Sequence, residues 1–193
     1  MKIQNRYNWG KTGSAQFAVT KKSNLHNRLV HVVQTNPKDG GTPVNVSYEY
    51  DGLNHRISRT GTNNVKSYGR NCALAMEKTG ARTRSYVYTN GVIAGFVDSD
   101  SEGQKDFRYT AVDSIGSVTE VYSADGETLW KSDYTAFGIG AGAEINLIDF
   151  GGMFTGKDTD EETGLAYHWN RWRSEDGSVW LSEDPARDGV NWY

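Results

Sequence analysis

Two acidic stretches, four histidines and one cysteine are the side chains in this 193-residue chain that could hold a metal or carry acid–base or nucleophilic chemistry. Asp98-Ser99-Asp100-Ser101-Glu102-Gly103 places acidic oxygens at alternate positions and glycine at the sixth, as a calcium loop begins. Position twelve, where such a loop needs a bidentate glutamate, is Tyr109, and no helical pattern flanks it. The stretch reads as a solvated hairpin tip. Asp158, Asp160, Glu161 and Glu162 lack the glycine and read as an acidic turn. His26, His31, His55 and His168 have neither the i,i+4 nor the short-loop spacing that zinc requires, so surface or strand positions are expected for them. Cys72, among apolar neighbours, reads as a buried, inert thiol. As the sole cysteine it can form no internal disulfide and no cysteine metal cluster. There is no Gly-x-Ser-x-Gly elbow, no complete phosphate loop and no Rossmann glycine set, which leaves hydrolase, NTPase and dehydrogenase readings without support. No cofactor and no metal are expected.

The elements that must position these residues are strands. Twenty-two glycines against three prolines, and valine outnumbering leucine almost two to one, favour many strands joined by tight turns. Val44, Val46, Tyr48 and Tyr50 alternate with Asn45, Ser47 and Glu49, the pattern of a half-buried strand. Val118, Glu120 and Tyr122 alternate less cleanly with Thr119, Val121 and Ser123. Asp39-Gly40-Gly41, Asp51-Gly52 and Asp125-Gly126 supply hairpin turns. Aromatic strand openings recur at Tyr88, Tyr109 and Tyr134, intervals in the twenties that a stacked or spiralling β array produces. The expected fold is therefore all-β, repeated hairpins forming a spiralling or stacked sheet. Only residues 71–78 could pass for a turn or two of helix, and the Gly/Ala-rich run 138–152 reads as a loop or flexible joint.

Composition excludes some partners. Twenty-one basic and 24 acidic residues are interspersed, giving a net charge of −3 with no basic stripe for nucleic acid and no polybasic membrane anchor. The opening MKIQNRYNWGKTGSAQ has no apolar run of a secretion signal, and no window approaches a membrane span. Exposed tryptophans and tyrosines, Trp172 and Trp180 among them, could stack on carbohydrate, although their strand spacing favours packing between repeats.

One ordered set of residues resembles the Rhs, or YD-repeat, family. Tyr50-Asp51-Gly52-Leu53 with Asn54 and Arg56 is similar to the repeat's Tyr-Asp…Arg core, and Asn27-Arg28-Leu29-Val30 to its second half. Asp113-Ser114-Ile115-Gly116-Ser117 matches the family's D-x-x-G-S segment. Phe154-Thr155-Gly156, Asp158, Glu162-Thr163-Gly164-Leu165, Tyr167, Arg171, Asp176-Gly177 and Ser182-Glu183-Asp184-Pro185 follow the order of its closing repeat-associated core. Where the family has Ala-Arg-Tyr-Tyr, this chain has Tyr167-His168-Trp169-Asn170-Arg171-Trp172, an aromatic-for-aromatic exchange. The resemblance divides the chain into an unassigned segment 1–22, YD-like repeats over 23–137, the joint 138–152 and a core segment 153–193.

The resemblance implies a β-shell fragment that, in relatives, encloses and delivers a C-terminal toxin domain, so its partners would be the remainder of the shell and the toxin cargo. It also implies a secreted or cell-surface location for such relatives. Asp184 falls on the first aspartate of the family's self-cleaving pair, which makes it the one catalytic candidate. Aspartyl proteolysis needs two carboxylates sharing a proton. The second is expected beyond Tyr193, so Asp184 is expected to terminate a strand and cap a turn, and the chain is not expected to be an enzyme.

Overall fold

The computed structural model describes residues 3–7, 18–23, 28–35, 44–53, 55–174, 177–184 and 186. The chain is built almost entirely of strands. The first seven are β1 (Ile3–Tyr7), β2 (Ala18–Ser23), β3 (Leu29–Thr35), β4 (Val44–Tyr50), β5 (Arg56–Thr60), β6 (Asn64–Tyr68) and β7 (Leu74–Thr79). Six more follow as β8 (Arg82–Thr89), β9 (Val92–Ser99), β10 (Lys105–Val112), β11 (Val118–Ser123), β12 (Thr128–Tyr134) and β13 (Gly140–Asn146). All thirteen lie in one antiparallel sheet whose spatial order is their sequence order, a meander without a crossover. Two short hairpins close the chain: β14 (Met153–Phe154) with β15 (Lys157–Asp158), and β16 (Ala166–His168) with β17 (Arg171–Arg173).

A recurring turn makes the meander. In Asp100-x-x-Gly103, Asp113-x-x-Gly116, Ser123-x-x-Gly126 and Thr135-x-x-Gly138, the first residue's side-chain oxygen accepts a bond from the amide four residues on. Its carbonyl accepts from the glycine amide. The glycine has φ of +82°, +84°, +85° and +75° in the four turns, a left-handed conformation that lets the chain reverse and re-enter the ladder. Asp51 does the same for the β4–β5 turn, its Oδ1 accepting from the amides of Leu53 and His55 at 2.9 and 2.8 Å.

Alternation sorts the side chains onto two faces. Val46 and Tyr48 are buried while Asn45, Ser47 and Glu49 are exposed, as their spacing predicts. On β11 the buried residues are Val118 and Val121, three apart, because the β10–β11 register shifts between Ala111 and Val112. That irregularity is why the alternation there looks blurred in sequence. Residues 147–174 lie over the buried face and complete two hydrophobic clusters. In one, Phe150 stacks on Phe96 with centroids 5.6 Å apart and meets Trp130 edge-on at 5.0 Å. In the other, Trp172 packs between Tyr48 and Tyr167 at 4.6 and 5.0 Å.

Three expectations need correction. Residues 138–152 are not simply a joint, since Gly140–Asn146 is β13 and pairs along β12. Composition hid it: small residues with little side chain to bury still satisfy a ladder through their backbone. The sheet therefore runs through the boundary drawn at 137/138, and through that at 22/23, where β2 already pairs with β3. Of residues 71–78, helical structure reaches only through Arg70–Cys72 as a single 3-10 turn, and Leu74–Thr79 is strand. Helix-favouring residues give way here to the ladders β7 makes on both sides.

Candidate functional site

The buried face carries charge in a line. Register places Tyr48 opposite Arg59, Arg59 opposite Lys66, Lys66 opposite Glu77, Glu77 opposite Arg84 and Arg84 opposite Asp98, one row across six strands. Arg59 and Arg84 are each 1% exposed and Lys66 is 3% exposed. Ions this deep persist only when paired.

The closing segment supplies partners. Asp160 takes Arg59 Nε at 3.0 Å, Arg59 Nη2 at 2.7 Å and the Tyr48 hydroxyl at 2.6 Å. Asp158 accepts from Arg56 Nη2 at 3.1 Å and from the Tyr68 hydroxyl at 2.9 Å, with Lys66 Nζ 3.6 Å away. Glu162 accepts from the Thr62 amide at 2.9 Å. Further along the row, Arg84 forks onto Asp98 at 2.7 and 2.8 Å and donates to the Asp149 carbonyl at 2.8 Å. The Arg56 guanidinium is also roofed by the rings of Tyr68 and Tyr167, at 3.8 and 4.5 Å from their centroids.

Burial alone would raise the Asp158 and Asp160 carboxyls. The cations outweigh it: Arg56 and Lys66 hold Asp158, and Arg59 holds Asp160, below the usual carboxylate range. The Tyr48 and Tyr68 hydroxyls are pushed well above theirs by burial and by the same carboxylates. Both aspartates are thus charged, and both tyrosines are neutral donors. These four groups fasten the layer as fixed anions and neutral donors.

This overturns the reading of residues 158–162 as a plain acidic turn. A turn is present, with the Gly164 amide donating to the Asp160 carbonyl at 2.7 Å, but Asp158 and Asp160 are 6% and 2% exposed. Their partners lie about a hundred residues earlier, where local spacing could not reveal them. Arg59, Lys66 and Arg84 went unnoticed in sequence because inward-facing cations break the polar-out rule. Arg56 was legible only as part of the Tyr-Asp…Arg resemblance.

Asp184 stands apart from this layer. Its Oδ2 lies 3.1 Å from Arg171 Nη2, and its Oδ1 accepts from the Ala186 amide at 2.9 Å. The Arg171 guanidinium stacks on Trp180 at 4.2 Å, and Trp180 meets His168 edge-on at 5.3 Å. Burial of His168, with Arg173 nearby, pushes its pKa down to about 4. Its Nε2 has no hydrogen-bond partner among the described residues.

Asp98–Gly103 forms the end of β9 and the turn into β10. Asp98 holds Arg84 and Asp100 caps the turn, so these two carboxylates are committed to structure. His31 bonds Asn45 at 2.7 Å, and His55 lies 3.4 Å from Asp51. His26 lies outside the described residues. Cys72 is buried in the second cluster, at 4% exposure. Trp172 is also core, and among the described residues the exposed large rings are instead Phe107, Tyr109, Phe137 and Trp169.

No family model matches the chain. It is 30% identical over 161 residues to the tRNA3(Ser)-specific nuclease WapA of Bacillus spizizenii, covering 79% of this chain and 7% of the relative. It is 24% identical over 183 residues to double-stranded DNA deaminase toxin A of Burkholderia cenocepacia, covering 78% of this chain and 13% of that one. The crystal structure of TcdB2-TccC3 superposes with a TM-score of 0.71 at 20% identity, covering 91% of this chain and 10% of the other. The Photorhabdus luminescens Tc holotoxin pore carrying a TccC3 mutation matches at 0.71 and 20%, covering 91% of this chain and 9% of the other. The chain spans 7 to 13% of the length of these proteins, and the superpositions establish that the two solved structures contain its fold.

Proposed function

We propose that the chain is a length of wall, with its inner seal, from the shell of an Rhs-type toxin, and that its role there is structural. The observation that carries this is the thirteen-strand meander in strict sequence order. Such a sheet lengthens one hairpin at a time, and its end strands β1 and β13 each pair on one side only among the described residues. A sheet grown this way is a continuous surface that can enclose a volume far larger than the 193 residues themselves could. The curated relatives, a nuclease and a deaminase toxin by name, support a toxin-related context. The partners are then the rest of the shell and the toxin cargo, in a protein that acts outside the cell that makes it.

The closing segment gives the wall an inner layer. Its buried carboxylates lock onto cations of β5 and β6, so that it cannot slide along the sheet without leaving charges unpaired. Asp184, engaged by Arg171, takes part as a turn residue.

Electron cryomicroscopy of the polypeptide together with the segments encoded on either side of it tests the reading. A hollow β-shell with the β1–β13 meander in its wall and residues 153–173 on the inside is the expected result. A separate lobe, joined to its neighbours by a linker and enclosing nothing, would overturn it.

A further inference from the structure

The tips of the two closing hairpins overhang one end of the sheet and leave a groove of about 690 Å³. Its walls come from the 69–73, 90–91 and 113–116 turns on the sheet side and from Thr155–Lys157 and Trp169 opposite. That volume suits a ligand of a few residues or a drug-sized molecule. Four non-glycine residues among those described have a left-handed backbone: Cys72 (φ +53°), Asn90 (+50°), Thr155 (+51°) and Trp169 (+52°). Thr155 and Trp169 line this groove, and Cys72 and Asn90 sit in turns whose neighbouring residues Arg70, Ala73 and Gly91 do. For β-branched Thr155 and bulky Trp169 the conformation is costly, and strain of this kind collects where geometry serves a site.

The lining has a chemical character. Ile93 and Val112 contribute an apolar floor, while Ile115 and Trp169 stand 58% and 44% exposed at the rim. Arg70 and Lys157 border it with no carboxylate partner among the described residues, and the Lys157 ammonium lies 5.6 Å from the Trp169 ring centroid. The groove's one acid, Asp113, already accepts the amides of Ile115 and Ser117. Apolar surface beside two unmatched cations calls for a ligand that alternates apolar groups with anions. An extended peptide does so at each residue. A saccharide would need several free side-chain acceptors for its hydroxyls, and a nucleic acid many more cations.

We propose that this groove binds an extended peptide segment of a partner protein in which acidic side chains alternate with large apolar ones. The apolar side chains pack against Trp169 and Ile115, and the carboxylates meet Arg70 and Lys157. The proposal stands independently of the shell reading, since it concerns one end of this sheet alone.

Fluorescence anisotropy of the 193-residue chain with fluorescein-labelled hexapeptides alternating glutamate and phenylalanine tests it. Saturable binding is expected, weakened at least tenfold by Trp169→Gly, which keeps the left-handed backbone permissible, and at least fivefold by Arg70→Glu or Lys157→Glu. Ile115→Asp, in an open turn where misfolding is not a concern, should weaken it comparably, and outer-face Phe107→Ser should leave it unchanged. Equal binding of lysine–phenylalanine hexapeptides, no saturable binding, or indifference to both Trp169→Gly and Ile115→Asp would overturn the proposal. So would binding of an acidic oligosaccharide such as hexagalacturonate in place of the peptide, or self-association of the chain through the groove.

Discussion

Arg59 and Asp160 lie 101 residues apart in the chain and meet in a two-bond fork, Nε to Oδ2 at 3.0 Å and Nη2 to Oδ1 at 2.7 Å, with both side chains 1% exposed. The fork ties the closing segment to β5. A buried pair of this kind contributes little net stability, since desolvation offsets attraction, but removing Asp160 leaves the buried Arg59 with Glu162 at 3.3 Å as its remaining carboxylate. Asp160→Ala should therefore lower unfolding free energy by about 3 to 5 kcal/mol. The double replacement Arg59→Met with Asp160→Leu should lose much less. Urea titrations of the two variants measure the difference; a loss of about 1 kcal/mol or less for Asp160→Ala would mean that the fork is not strongly coupled to folding.

Much of the meander was legible because its turn is local. Asp113-x-x-Gly116 places acceptor, amides and left-handed glycine within five residues, and the Val44–Tyr50 alternation needs no partner to be seen. The seal was less legible because its logic is long-range. Asp158 and Asp160 look like any exposed acidic turn until β5 and β6 bring Arg56, Arg59 and Lys66 beneath them. β13 was missed for another reason: its side chains carry no periodic signal, and only pairing with β12 defines it.

Acid should weaken the fold in two stages. His168 has a folded pKa near 4 against an ordinary 6.5, so the unfolded chain takes up the proton first. Its contribution is complete above pH 6.5 and lost as pH falls toward 4. After a discount for a part-exposed ring, the loss is on the order of 2 kcal/mol. Asp158 and Asp160, also lowered, add a second loss only as pH drops below their ordinary 3.8. Glu161 runs the other way: burial raises its carboxyl above the ordinary 4.5, so stability is regained as pH falls toward 4.5 and part of the first stage is offset. Thermal melts from pH 7 to 4.5 should show a decline in wild type that His168→Phe largely removes, since phenylalanine keeps an edge-on ring against Trp180. An unchanged slope in that variant would place the loss elsewhere.

Two turn glycines separate backbone strain from crowding. Gly116 has φ +84° with open space where a Cβ would go, so Gly116→Ala should cost only the left-handed penalty of about 1 to 2 kcal/mol. Gly138 has φ +75°, and a Cβ there would lie 2.3 Å from the Phe154 ring. Gly138→Ala should cost the same penalty plus displacement of that ring from its contact with Tyr134, about 1 to 3 kcal/mol more. Equal losses in chemical denaturation would show that Phe154 yields freely.

Asp184 separates a structural role from a catalytic one. Its carboxylate is taken up by the Arg171 guanidinium and the Ala186 amide, an arrangement that holds a turn. Cleavage would need a second carboxylate close enough to share a proton with it, one group activating water and the other protonating the carbonyl. With its carboxylate engaged by Arg171 and the Ala186 amide, Asp184 is held in a turn, and the purified 193-residue chain should keep its intact mass for days between about pH 4 and 8. Asp184→Asn keeps the bond to the Ala186 amide and loses the part-exposed ion pair, so it should change stability by about 1 kcal/mol or less. In a polypeptide extended through a further Asp-Pro segment, cleavage should appear, and there Asp184→Asn should abolish it. Mass spectrometry showing scission of the unextended chain, lost in Asp184→Asn, would make the chain an enzyme and Asp184 its catalytic residue.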